Sequence, residues 1–293
     1  MLSRHAFACA ILSMILGSPL AAQVQRNVLL ETFTGAWCGY CPAAKPAVDS
    51  LRRLYPGLIV VAIHGGGPDA MEIPEGKELA ATYQPQAYPA GMIDRVLWSQ
   101  RYGPARSLAN WEGHIIEQAA RPAQVSVAID ADVDHASNQI RVTARATFVE
   151  RPVSGPLRLN LYLVEDSVVG RGRGYDQTNY GNSDPGHPYF GAGNPIVGFV
   201  HDNVLRAMPS EPTGTDGVIP ESPEVGVPYQ ASYTFTLPEN VRADHARIVA
   251  FVSHHGPDWS AREILNAAER PLTTGTSGIS TQAGAMRHTI WLE

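Results

Sequence analysis

The sequence predicts an α/β domain followed by an all-β sandwich. Three observations carry this. A strand–helix–strand run over residues 27–63 surrounds a Cys-x-x-Cys pair. From residue 122 the apolar residues alternate with polar ones. The change falls at Arg121-Pro122. The boundaries follow: a signal segment over 1–22, the α/β domain over 23–121, the sandwich over 122–271, and a tail over 272–293.

Residues 1–22 read as a secretory signal peptide. Arg4 and His5 precede the apolar run Ala6–Leu16, and Ser18-Pro-Leu-Ala-Ala22 supplies small residues for cleavage. The run is too short to span a bilayer. Cleavage removes Cys9, leaving Cys38 and Cys41 as the only cysteines, and none at the new N-terminus to carry a lipid. In an exported chain such a pair forms a disulfide or uses one. The mature chain then has no transmembrane segment. Its location is the periplasm, the outer membrane or the cell exterior. Net charge is -6 and the only lysines are Lys45 and Lys77, which argues against nucleic acid as a partner.

Residues 27–34 read as a strand leading to Trp37-Cys-Gly-Tyr-Cys-Pro42. A helix over 42–55 follows, with Pro42 suited to its first turn and Tyr55-Pro56-Gly57 stopping it. Residues 58–63 form a continuous apolar run, as in a strand buried on both faces. Strand, helix and strand make a parallel, right-handed βαβ unit. A second helix is expected over about 70–82, a strand over 90–97, and a third helix over 104–120 carrying Leu108, Trp111, Ile115 and Ile116.

In the second half Val125/Val127/Ile129, Ile140–Phe148, Leu157–Leu163 and Tyr233–Leu237 alternate, and 247–252 is an apolar strand. Alternation predicts antiparallel strands with one wet face. They are too few for a membrane barrel. Two long connections interrupt them, 170–195 and 207–228. The first carries Tyr175, Tyr180, Tyr189 and Phe190, which either form a binding surface or pack the loop onto the sheet.

Cys38 and Cys41 are the candidate catalytic residues. One thiolate attacks a disulfide and the other closes back to release the mixed disulfide; a helix N-terminus stabilises the attacking anion. The alternative is a permanent disulfide without turnover. Two thiols do not make a structural zinc site, and no metal or cofactor is expected. His64-Gly65-Gly66-Gly67 lacks a Gly-x-Ser-x-Gly partner and reads as a flexible turn. His254-His255 with Asp258, and His187 with Asp184, lack the spacing of a metal site and read as solvated.

Three features together resemble the thioredoxin-like superfamily: Trp37-Cys-Gly-Tyr-Cys41 after an apolar strand, Pro46 in the following helix, and Ala87-Tyr-Pro-Ala-Gly91 entering a strand. The last is similar to that fold's cis-proline turn. The resemblance implies that Trp37, Tyr88 and Pro89 hold a substrate chain. Two positions depart from it. Thr32 stands where thioredoxins place a buried acid, with Glu31 one step away on the opposite strand face. Pro85 replaces a branched apolar residue.

More narrowly, five stretches resemble the Omp28-related outer membrane proteins of Bacteroidetes-type bacteria: Phe33–Pro42, Tyr88–Arg95, Val164-Glu-Asp166, His201–Arg206 and Ile264–Ala267. That resemblance implies a thioredoxin-like domain followed by an immunoglobulin-like sandwich, and for some members a C-terminal sorting domain. Asp202 and Arg206 are expected to pin loops. Two functions remain open. One is disulfide exchange with protein or peptide thiols. The other is a non-catalytic surface or adhesion protein, with an envelope partner held by the sandwich loops.

Overall fold

The computed structural model describes residues 24–99, 103–151 and 155–272. The segment expected as a signal peptide and all of the tail beyond Leu272 lie outside them. Among the described residues no helix is long and apolar enough to cross a membrane.

The chain is mostly β, with few helices. In order it forms β1 (Val28–Thr34), α1 (Ala44–Leu54), β2 (Leu58–His64), α2 (Pro74–Tyr83), β3 (Ala90–Ile93), β4 (Arg106–Ser107) and α3 (Trp111–Ala119). Then follow β5 (Val125–Asp134), β6 (Gln139–Phe148), β7 (Leu157–Glu165), β8 (Val204–Ala207), β9 (Pro228–Thr236), β10 (Ala246–His254) and β11 (Ile264–Pro271). Eight strands make one mixed sheet in the order β11-β10-β7-β8-β2-β1-β3-β4, and β5-β6-β9 make a second. β1 and β2 are parallel, and β3 lies antiparallel on the other side of β1. The large sheet therefore takes four strands from before residue 121 and four from after it. β8 joins the two groups, meeting β2 in parallel at Ala62↔Val204 and β7 antiparallel.

Three elements differ from the sequence reading. The strand expected over 90–97 stops at Ile93, because Asp94 and Arg95 turn to positive φ (47° and 55°). The helix expected over 104–120 begins only at Trp111, after β4 and a short 3-10 turn, and its Ile116 is exposed. The wet face expected of Leu157–Leu163 is absent. Leu157, Leu159, Leu161 and Leu163 pack on the three-stranded sheet. The opposite side, with Tyr162 and Val164, packs with Phe251, Leu79 and Tyr83. The one-sided pattern holds in β6 and β9, which do keep a solvated face.

Two buried arginines tie these layers together. Arg95 donates to both oxygens of Glu31, at 2.7 Å each, and to the Tyr162 hydroxyl, which in turn donates to Glu31 at 2.9 Å. Its guanidinium also lies over the Tyr83 and Phe251 rings. Arg247 on β10 donates to Asp166, Glu269, Asn203 and the Val60 carbonyl. Each charge is paired and hydrogen-bonded, which offsets its desolvation.

Candidate functional site

β1 delivers the chain to Gly35, and the Cys38 amide closes a turn onto the Gly35 carbonyl at 3.0 Å. Cys38 and Cys41 form a disulfide with Cα atoms 5.4 Å apart. Cys41–Ala43 is a 3-10 turn with Pro42 in its first positions, and α1 follows directly. Proline fits there because its missing N–H would have no helical partner.

Trp37 stands beside the pair. Its indole N–H donates to the Gly65 carbonyl at 2.9 Å, and its ring lies 5.4 Å from that of Tyr88. The His64-Gly-Gly-Gly67 turn is the seat of this ring. A Cβ on Gly67 would come within 2.7 Å of the indole, and Gly66 has φ +77°. The Tyr88–Pro89 bond is cis, and Pro89 leads into β3 at the register of Phe33↔Ala90.

Neither cysteine is exposed at the start of α1. Cys38 is 3% and Cys41 5% exposed. The cover is the connection between β7 and β8, which the sequence left as either binding surface or packing. The Thr178 amide donates to the Ala36 carbonyl at 2.8 Å, and the Tyr180 amide to Gly39 at 2.9 Å. The buried Gln177 amide reaches the carbonyls of Gly35, Ala36 and Cys38. The Tyr180 ring lies on Gly39, where a Cβ would sit 2.4 Å from it. Asn179 and Asn182 hold the strap's own shape through Tyr189, Gly193 and Asn194. Its aromatics divide: Tyr175 and Tyr189 are partly buried, while Tyr180 and Phe190 are exposed, with Tyr180 edge-on to exposed Tyr40 at 5.2 Å.

Behind the disulfide, a cavity of about 70 Å³ is lined by Cys41, Thr32, Thr34, Lys45, His64 and His201, among others. His64 Nδ1 lies 2.9 Å from Asp69 Oδ2, and both side chains are buried. Burial alone would raise the Asp69 carboxyl, but His64 and the Ala36 and Met71 amides outweigh it and hold it below its ordinary value. His201 packs edge-on to His64 with centroids 5.3 Å apart, and its Nε2 lies 2.8 Å from the Tyr175 carbonyl. Burial, reinforced by the neighbouring His64 ring, lowers it to about 4. Glu31 points to the other side of β1, held by Arg95. Thr32 hydrogen-bonds the Val61 carbonyl at 3.4 Å.

Sequence reading missed Gln177 and assigned His64 only to a turn. His201 stood only within a family motif. The available signal for His64 was its place at the end of β2, paired in register with Thr34. Asp202 and Arg206 do pin loops: Asp202 accepts from Lys45 and the Ser167 amide, and Arg206 pairs with Glu165 and donates to Asn240. His187 accepts from the Tyr189 amide, and Asp258 caps the turn at Ser260. Burial lowers both His254 and His255.

No curated protein matches the chain. In fold it is similar to HBP35 of Porphyromonas gingivalis: TM-score 0.66, 18% identity, 90% of this chain and 81% of that one covered. It is also similar to a structural-genomics protein of Agrobacterium tumefaciens, with TM-score 0.50, 10% identity and coverages of 88% and 99%. A domain of the outer membrane lipoprotein Omp28 from Porphyromonas gingivalis aligns over 50% of this chain and 86% of its own, with 17% identity and TM-score 0.27. The sequence pattern of the family described as outer membrane protein Omp28 matches residues 76–269, about two thirds of the chain. It begins after the cysteine pair, so membership and the disulfide are separate findings. On that match the chain belongs to the Omp28 outer membrane protein family.

Proposed function

We propose that this is an exported envelope protein whose Cys38–Cys41 pair exchanges disulfides with protein or peptide thiols, held in a thioredoxin-like domain over 23–121. The carrying observation is a disulfide on the loop that runs from a central strand into α1, with the Trp37 ring packed at a tilt against Tyr88 at the mouth of β3. The strand order β2-β1-β3-β4, with β1 parallel to β2 and antiparallel to β3, supports the thioredoxin-like reading. Residues 122–271 are read as an immunoglobulin-like sandwich, supported by the packing of β5-β6-β9 on β7 and β10.

In this reading the reduced Cys38 thiolate attacks a substrate disulfide, forming a mixed disulfide and expelling one substrate thiolate. The Cys41 sulfur then attacks Cys38, re-forming the protein disulfide and releasing the second thiolate. The substrate gains the two electrons that the pair loses, and the reverse sequence oxidises a dithiol. Trp37, Tyr88 and Pro89 flank the substrate chain, and the 177–180 strap lifts to admit it. The test is Cys41→Ser, which should trap mixed disulfides through Cys38 in its envelope environment.

A second reading is favoured by the burial of both cysteines. There the disulfide is a staple beneath the strap, and the protein is a non-catalytic surface or binding protein whose exposed Tyr40, Tyr180 and Phe190 meet a partner. Failure of Cys41→Ser to capture anything, with binding intact in the double serine variant, selects this reading.

A further inference from the structure

We propose that His64, oriented by Asp69, is the proton acceptor that activates Cys41 for the closing step; this rests on the exchange reading above. The closing step needs a Cys41 thiolate, and a free cysteine has a pKa of about 8.5, so at neutral pH most of it is protonated. No carboxylate on β1 is available to take the proton. Thr32 faces the cavity, and Glu31 is on the far side of the strand with both oxygens bound by Arg95.

The neighbouring strand supplies a base instead. His64 closes β2 opposite Thr34, and it lines the same cavity as Cys41. An ionised Asp69 can only accept, so the hydrogen of the neutral ring sits on Nδ1 and the lone pair on Nε2. Among the described residues nothing hydrogen-bonds that Nε2. Asp69 is itself fixed by the Ala36 and Met71 amides, so the ring has one orientation. The cavity is large enough for water, so the proton can cross directly or through one.

The other charged and titratable groups lining the cavity come from two elements. On α1 they are Lys45 and exposed Asp49; on the strap they are Asp202, paired with Lys45, and His201. His201 is the poorer base: its Nε2 is engaged by the Tyr175 carbonyl, and it has no carboxylate partner. In the step itself, the Cys41 S–H gives its proton to His64 Nε2. The Cys41 sulfur bonds to Cys38 as the Cys38–substrate S–S bond breaks, and the substrate leaves with that electron pair as a thiolate. The imidazolium, stabilised by Asp69, then returns the proton to that thiolate or to solvent.

The test uses the full mature chain, reduced and then mixed with glutathione disulfide, following closure of Cys38–Cys41 from pH 5.5 to 9.5. His64→Gln should slow closure about ten- to hundred-fold near pH 7, within the usual range for one general base. The deficit should shrink towards pH 9.5, where Cys41 ionises unaided. Asp69→Asn should give a smaller deficit of the same shape, and it serves where His64→Gln does not fold. Titration of the lone Cys41 thiol in a Cys38→Ser background provides a readout that needs no turnover, and there His64→Gln should shift the curve. Unchanged closure profiles and an unshifted Cys41 titration would overturn the proposal while leaving exchange standing. A wild-type pair that never exchanges, with a Cys41 titration that still follows His64, would overturn exchange instead.

Discussion

The two faces of β1 carry opposite kinds of polar chemistry. On one, Glu31, Arg95 and Tyr162 are buried and joined by four mutual hydrogen bonds that leave neither carboxylate oxygen free. On the other, His64 and Asp69 are just as buried, but His64 also lines the cavity that Cys41 lines. Burial alone therefore does not distinguish structure from function. A saturated network fixes the fold, whereas a buried base with one free valence beside a sulfur can still react.

The largest effect should come from breaking the saturated side. Arg95→Met strands Glu31 in the core and should cost about 3–5 kcal/mol in denaturant unfolding. His64→Gln should cost no more than about 1–2 kcal/mol, because the new amide can still donate to Asp69. Equal losses would erase the contrast between the faces.

Next in size is a pair of opposed pH effects. His201 is lowered to about 4 by burial and by His64. The unfolded chain takes up that proton near pH 6.5, so between the two values the unfolded state binds more protons. Stability due to His201 falls as pH drops from about 6.5 to about 4. Asp94 is raised to about 6 by burial, against the pull of Arg26 and the Leu29 amide. Here the folded state holds the extra proton, and stability falls as pH rises from about 4 to about 6. At about 1.4 kcal/mol per pKa unit, the first is worth at most about 3.5 kcal/mol and the second at most about 3 kcal/mol. Unfolding at pH 4.5 and 6.5 should lose the rising slope in His201→Gln and the falling slope in Asp94→Asn; unchanged slopes in both contradict the assignment.

Smaller still is the disulfide itself. Closing so short a loop is worth about 2 kcal/mol by the chain-closure estimate, so the reduced protein should unfold slightly earlier, not collapse. Smallest in stability, but informative, is the strap. Gln177→Ala should cost about 1–2 kcal/mol and expose Cys38, so that dithiothreitol reduces the disulfide several-fold faster. An unaltered reduction rate would mean that the strap does not control access.

Local signals made much of this readable. β1, β2 and the cysteine-bearing turn followed from apolar runs, Pro42 and the Tyr55-Pro-Gly stop. β6 and β9 followed from alternation, because one face of that sheet stays wet. β8 was not readable. It is four residues long, sits at the end of a Gly- and Asn-rich loop, and owes its existence to β2 and β7. The end of β3 depends on positive φ at Asp94 and Arg95, residue types that elsewhere continue a strand or helix. In the site, the cysteine pair and Trp37 were legible, but the cover was not. Gln177 contacts Cys38 from 139 positions away in sequence, and no local pattern announces such a contact. His64 was hidden because its pairing with Asp69 and its place on the cavity that Cys41 lines are set by the fold.

The reduction potential of the Cys38–Cys41 pair, equilibrated against glutathione in the full chain, tests the exchange reading most directly. A working pair should fall between about −270 and −120 mV, whereas a value below about −300 mV would contradict it and leave a structural staple under the strap.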